Sequence, residues 1–378
     1  MNKIDKNIPS PCYICEEQIL EQNLKLLQYI QDSADVNILL ALKGFAFRGA
    51  FDICKKYLKG CCASGLNEAL LAYNEFGGEV HTYSPAFKPN EFEQIAKISN
   101  HIVFNSFNQL ELYRDKIKPN NSLGLRINPQ YSSVEVELYN PCGLNSRLGI
   151  TKVEFEKQKS NLDLIDGFHF HALCEQNVDA LKGVLEKFEK DFGDYFKDLK
   201  WINFGGGHHI TREDYDVKGL IELLTSFKQK YPHLKIYLEP GEAIGWKTGY
   251  LEATILDIVH NGIDIAILDT SAECHMPDTL AMPYKAEIRG ASSNPNEKKF
   301  SYRLAGNTCL AGDIIGDYSF DKKLKVGDKI ILEDMIHYTM VKTTTFNGIN
   351  LPSIAIKNKD GDIKVIANFG YNEYISRI

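Results

Sequence analysis

Eight short apolar stretches, five to eight residues long, recur between residues 37 and 239, with helix-like segments between most of them. They are "NILLAL" at 37–42, "GCCAS" at 60–64, "VHTYS" at 80–84, "HIVFN" at 101–105, "LGLRIN" at 123–128, "IDGFHFHA" at 165–172, "WINFG" at 201–205 and "KIYLE" at 235–239. Segments such as "NEALLAYNEFG", "DALKGVLEKFEKDFGDYF" and "KGLIELLTSFKQKY" carry the 3–4 spacing of amphipathic helices. Eight strand and helix units in series predict an α/β fold, a parallel (β/α)8 barrel over residues 36–248. Beyond this the pattern becomes short strands with turn residues, "YLEATILDIVH", "IDIAILDTS", "KFSYRLAG" and "DKIILED", which predicts a C-terminal antiparallel β domain over 249–378. Residues 1–35 supply one more strand, "PCYIC", and a helix that join the β domain to the barrel; the strand has the pattern to complete the second domain.

A chain of 378 residues can hold both domains, and 44% apolar with 25% charged residues is the balance of a soluble globular protein. The net charge of −7 argues against nucleic acid or an anionic membrane as partner and suits a cationic small molecule. The polar "MNKIDKNIPSP" offers no signal peptide and no apolar run is long enough to span a membrane, so a cytoplasmic location with reduced cysteines is expected. Cys12 and Cys15 form a CxxC without a second Cys/His pair at zinc spacing, so no metal is expected.

Lys43 ends the first apolar stretch, in "LLALKGF". A strongly hydrated amine there either snorkels to solvent or is tuned for chemistry. Other unusual residues fall at the same kind of place: His171 at the end of the sixth stretch, Gly205, Gly206 and Gly207 where the seventh ends, and Glu239 in "EPGE" at the end of the eighth. All lie at C-terminal strand ends, where barrel active sites are built. The three glycines either free backbone N–H groups for a phosphate or form a flexible turn. Glu239 is either a partly buried carboxylate that needs a proton-bearing partner or a surface strand end. His169 and His171 alternate onto one face, and a satisfied core histidine is an open reading for each. A lysine amine, a phosphate cradle and a carboxylate at one barrel mouth suggest pyridoxal 5'-phosphate held as a Schiff base.

With "ALKGF", "SRLGI", "GFHFHA", "NFGGG", "EPGE", "GNTCLAGD" and "LEDMIHYT" in order over nearly the whole chain, the sequence resembles the fold-type III pyridoxal phosphate enzymes. That family includes alanine racemase and the ornithine and diaminopimelate decarboxylases. "HFHALCE" and "HMPDTLAMPY" look like the branch that decarboxylates carboxynorspermidine and carboxyspermidine. The resemblance implies that Lys43 carries the cofactor, His171 stacks on its ring, Glu239 pairs with its ring nitrogen and Tyr338 reaches its phosphate. It implies that Cys309 returns a proton to the carbon that CO2 leaves, and that a homodimer shares active sites through the Cys309 loop. Glu242, His275, Asp278 and Asp313 are the expected contacts to a polyamine-like substrate.

Three positions depart from the family pattern. Glu242 stands where an arginine often follows "EPG", Leu310 follows the cysteine in place of an acid, and Ala172 replaces a serine after His171. The segment 269–283, with Asp269, Glu273 and Asp278 and no Lys or Arg, suits a polycation better than a distal carboxylate, unless it is simply a solvated acidic loop. Diaminopimelate, ornithine or arginine decarboxylation is the alternative within the fold. A non-catalytic relative is disfavoured because Lys43 and Cys309 are both present.

Overall fold

The computed structural model describes residues 8–281 and 284–378, which form two compact units: Glu21–Ile244, and Gly245–Ile378 together with the chain up to Leu20. Residues 1–7 of the expected N-terminal segment, and Met282 and Pro283 of the acidic 269–283 segment, lie outside the described residues.

The first strand, β1 (Cys12–Glu16), is followed by the helix Glu17–Ala34. Then come β2 (Asn37–Ala41), β3 (Gly60–Ala63), β4 (Glu79–Tyr83), β5 (His101–Phe104), β6 (Ser122–Arg126), β7 (Gly167–His169), β8 (Trp201–Asn203) and β9 (Lys235–Leu238). These eight are parallel throughout, each paired with the next, and β9 closes on β2 through Asn37↔Tyr237. The expected barrel is therefore present, with all eight strands at their anticipated places.

The local sequence explains the closure. β2 is buried over its last four residues, as a strand covered on both faces must be. The helix Val178–Phe192 buries Leu181, Val184, Leu185, Phe188 and Phe192, one apolar stripe, and starts at Asn177, whose side-chain oxygen accepts the Val178 N–H at 2.8 Å. The helix Val217–Lys230 is capped by Asp216, which accepts the Gly219 N–H at 2.8 Å. Inside the barrel, Trp201 packs with Leu39, Val103 and Tyr237 and donates its indole N–H to Ser122 Oγ at 2.9 Å. Gly124 and Gly167 on the neighbouring strands leave room for it, since a Cβ there would stand 2.4 and 2.1 Å from the indole. The barrel is thus a packed core with its chemistry confined to the ends of the strands.

The second unit is a nine-stranded sheet. Its strands are β1, β10 (Gly249–Asn261), β11 (Ile263–Leu268), β12 (Ala291–Ser292), β13 (Phe300–Ala305), β14 (Ile314–Phe320), β15 (Lys329–Glu333), β16 (Ser353–Lys357) and β17 (Ile363–Ala367). The order is β12-β14-β13-β11-β10-β1-β16-β17, with β15 also on β10. The pairing is mostly antiparallel; β1 with β16 and β11 with β13 are parallel. β1 sits between β10 and β16, so residues from the two ends of the chain share one sheet. No helix among the described residues is long and apolar enough to cross a membrane.

Candidate active site

Because the barrel strands all run one way, their C-terminal ends share one rim. Lys43 lies two residues past β2, His171 two past β7, Gly205–Gly207 begin two past β8, and Glu239 directly follows β9. Lys43 is exposed to solvent, yet its amine is ringed by Cys62, Arg126, Glu239 and Cys174. The side chain reaches solvent while its amine end is crowded by these groups. That enclosure pulls the amine below the ordinary lysine range, and Arg126 adds to the effect, against the pull of Cys62, Glu239 and Cys174. Among the described residues the amine makes no hydrogen bond or ion pair. A lysine with more of its neutral form and no partner is a nucleophile ready for a carbonyl.

Glu239 is held from two sides. Asn203 Nδ2 donates to Oε1 at 2.6 Å, and His169 Nε2 lies 3.4 Å from Oε2. Burial alone would raise the carboxyl; the His169 ring and the Asn203 amide outweigh it and hold the group at about 2. His169 is itself buried and pushed below the usual histidine range, so the site presents an anion beside a neutral imidazole. An enclosed carboxylate of this kind suits a positively charged ring nitrogen.

His171 is also kept neutral, first by burial and then by Lys43 and Arg126. Its Nδ1 accepts the Gly206 N–H at 2.8 Å, which leaves the ring proton on Nε2. The Gly205 N–H is taken as well, by Asn203 Oδ1 at 2.8 Å. Two of the three donors expected for a phosphate are therefore engaged within the protein, which corrects the reading of a freely donating triple glycine. What makes glycine necessary is close approach. Gly205 and Gly207 have φ of +68° and +84°, and a Cβ on any of the three would fall within 2.4 Å of a backbone oxygen of Phe170, Glu239 or Leu173.

Two barrel residues were not anticipated. Arg126, the last residue of β6, is buried, lies with its guanidinium 4.6 Å from the Tyr83 ring centre and donates to the His171 carbonyl at 3.3 Å. Its signal was present: a cation ending the apolar run "LGLR" is the same anomaly that singled out Lys43. Asn203 carried no such signal. Glu242 is half-buried, 4.0 Å from His209 Nε2 and close to Glu175.

The remaining nominated residues belong to the β unit. Cys309 is an exposed thiol whose backbone N–H donates to Asn347 Oδ1 at 2.7 Å. Tyr338 starts the short helix Tyr338–Val341 and lies half-buried, its ring centre 5.5 Å from Lys342 Nζ. The other three are not presented to a ligand as expected. His275 is wholly buried, with Nδ1 on Thr270 Oγ1 at 2.9 Å and Nε2 on the Asn350 carbonyl at 3.1 Å, so both ring nitrogens are in use. Asp313 is buried and accepts from the Ala272 N–H at 2.7 Å and the Thr308 hydroxyl at 2.6 Å, which makes it a staple of the Cys309 loop. Asp278 is paired with Lys342 at 2.7 and 2.9 Å, and Asp269 accepts the Thr254 N–H at 2.8 Å. Two of the three acids in the 269–283 segment thus have partners inside the protein.

The family of pyridoxal-dependent decarboxylases, described through their C-terminal sheet domain, matches residues 12–336. The carboxynorspermidine/carboxyspermidine decarboxylase of Campylobacter jejuni is 51% identical, over 98% of this chain and 99% of that protein. The carboxyaminopropylagmatine decarboxylase of Synechocystis is 46% identical, over 98% of this chain and 96% of that protein. A crystal structure of carboxynorspermidine decarboxylase from Campylobacter jejuni, complexed with norspermidine, superposes with a TM-score of 0.92 at 49% identity, covering 98% of this chain and 100% of that one. The cofactor of the family fits the residues present: an amine of lowered basicity, without a hydrogen bond or ion pair among the described residues, lies near a carboxylate held anionic, on the rim that also carries a loop stripped of side chains. The chain belongs to the pyridoxal-dependent decarboxylases and is an enzyme that uses pyridoxal 5'-phosphate.

Proposed function

We propose that the enzyme decarboxylates an amine bearing a carboxyaminopropyl group, with carboxynorspermidine and carboxyspermidine as its substrates, and so forms norspermidine or spermidine in polyamine biosynthesis. The observation that carries this reading is the full-length 51% identity to a decarboxylase of that name, joined to the enclosed Lys43 amine. The negative overall charge is in keeping with a polycationic substrate. The acids of the 269–283 segment lend less support than their number suggests, because Asp278 and Asp269 already have partners.

Lys43 would hold the cofactor through its aldehyde carbon, and its lowered basicity suits an amine that must act in its neutral form. The bound cofactor supplies an electron sink for the pair left when CO2 departs. Glu239 keeps a proton on the ring nitrogen, and the neutral His171 ring offers a flat face for stacking. The Gly205–Gly207 turn, bare of side chains, borders the phosphate without offering the Gly205 and Gly206 N–H groups, and Tyr338 reaches it. Cys309, an exposed thiol, returns a proton to the carbon that lost CO2, in a homodimer whose protomers exchange this loop. Glu242 takes part in holding the substrate's amines. A cytoplasmic location agrees with nine cysteines of which none is in a disulfide.

The Synechocystis relative favours a second reading, carboxyaminopropylagmatine, which shares the carboxylated end and differs at the far end, where a guanidinium replaces an ammonium. Release of CO2 by the cofactor-loaded enzyme, measured side by side on carboxynorspermidine, carboxyspermidine, carboxyaminopropylagmatine, diaminopimelate, ornithine and arginine, tests the proposal. The highest kcat/KM is expected on the first two. They differ by one methylene, which separates them by no more than about 1–3 kcal/mol. Turnover confined to diaminopimelate, ornithine or arginine would overturn the substrate assignment.

A further inference from the structure

We infer that Asn203 is a positioning residue that sets the Glu239 carboxylate and locks it to the glycine loop; this rests on the assignment of Glu239 to the cofactor ring made above. Asn203 ends β8 and is 1% exposed, and both ends of its side chain are committed. Nδ2 donates to Glu239 Oε1 at 2.6 Å, and Oδ1 accepts the Gly205 N–H at 2.8 Å. The Gly205 carbonyl in turn accepts the Glu239 N–H at 2.7 Å. These three bonds form a closed ring that joins one side chain on β8, the first residue of the glycine turn and both the backbone and the carboxylate of Glu239.

The ring has little slack. Gly205 is at φ +68°, and a Cβ there would stand 2.3 Å from the Phe170 carbonyl, so no other residue fits this corner of the ring. The 2.6 Å bond fixes one carboxylate oxygen, which leaves Oε2 beside His169 at 3.4 Å. Of the two groups that steady Glu239, only the amide does not titrate. An amide also supplies a donor on one side and an acceptor on the other in a fixed plane, which neither a carboxylate nor a hydroxyl can do at this spacing. Asn203 therefore couples the group that faces the cofactor ring to the turn that borders the phosphate site, although it touches neither ring nor phosphate in this assignment.

The test uses Asn203→Leu, close in volume and without polar atoms, and Asn203→Ala, which leaves room for a bridging water. Thermal melting establishes that each variant folds. Fluorescence titration of the apoprotein with pyridoxal 5'-phosphate and the pH dependence of the bound cofactor's visible absorbance are then compared with wild type. Loss of a hydrogen bond to a charged group predicts cofactor binding about ten- to hundredfold weaker, with kcat reduced by a similar factor and KM changed less. The acid limb of the absorbance profile should move to higher pH, a change that a merely structural residue would not produce. Folded variants with wild-type affinity and profile overturn the inference, as do two variants that both fail to fold, since Asn203 would then belong to the barrel alone. A wild type that binds no pyridoxal phosphate would instead sink the functional assignment, so the two failures are distinguishable.

Discussion

Replacing Asp313 separates two accounts of one buried carboxylate. Its Oδ1 accepts the N–H groups of Ala272 at 2.7 Å and Glu273 at 3.4 Å, and its Oδ2 accepts the Thr308 hydroxyl at 2.6 Å and N–H at 3.2 Å. It thereby joins the first turn of the helix Ala272–His275 to the loop that carries Cys309. Asp313→Asn keeps the shape but turns one oxygen into a donor. The amide settles with its NH2 toward Thr308, because that hydroxyl can rotate to accept whereas the helix N–H groups cannot. One bond to a charged acceptor is then lost and the Thr308 N–H is left facing another donor, at a cost of about 2–3 kcal/mol. Asp313→Ala abandons all four contacts and should cost more, about 3–5 kcal/mol. Guanidinium unfolding of the cofactor-loaded enzyme measures both. Alongside it, kcat should fall more than KM rises, since the perturbed loop is the one that holds Cys309. A change below about 0.5 kcal/mol combined with a raised KM would refute the reasoning and return Asp313 to the substrate pocket.

Lys43→Ala should lose the visible absorbance of bound cofactor and any label trapped by borohydride; a retained, reducible band would mean that another amine carries the group. Cys309→Ala should still release CO2 but divert part of the amine product to aldehyde through misplaced protonation, and unchanged product ratios would remove Cys309 from the reaction. Burial depresses His208 and His275 to about 4 each, so in the unfolded chain they take up protons near pH 6.5 that the folded state refuses until about pH 4. Their contribution to stability is complete above pH 6.5 and declines toward pH 4, by up to about 1.4 kcal/mol per pH unit for each. His275→Gln should shallow that slope in unfolding experiments, and an unaltered slope would contradict the neutral burial of this ring. Glu239, held at about 2, acts in a lower window. Its contribution is present above the unfolded carboxylate range near 4.3 and lost as pH falls toward 2, so the stability gap between wild type and Glu239→Gln should narrow over that interval.

What could be read from the residues alone was whatever repeats or offends locally. Eight apolar runs with helical segments between them specify a closed parallel barrel because each strand must be covered on both faces. "LLALK" and "EPGE" drew notice because a charge at the end of such a run is costly unless it has a purpose. The strand direction then places Lys43, His171, the glycines and Glu239 on one rim with no further information. Partners remote in the sequence could not be read in this way. Asp278 and Asp313 looked like ligands for a cation, and in the fold they are spent on Lys342, 64 residues away, and on Ala272, 41 residues away. His275 looked available and is clamped between Thr270 and Asn350. Asn203 looked ordinary, because its role exists only once β8 and β9 lie side by side and bring Glu239 within 2.6 Å. Periodicity and the cost of burying charge are properties of a segment, and the sequence carries them whole. Whether a polar group is free or committed depends on which distant group chain closure sets beside it, and only the tertiary structure decides that.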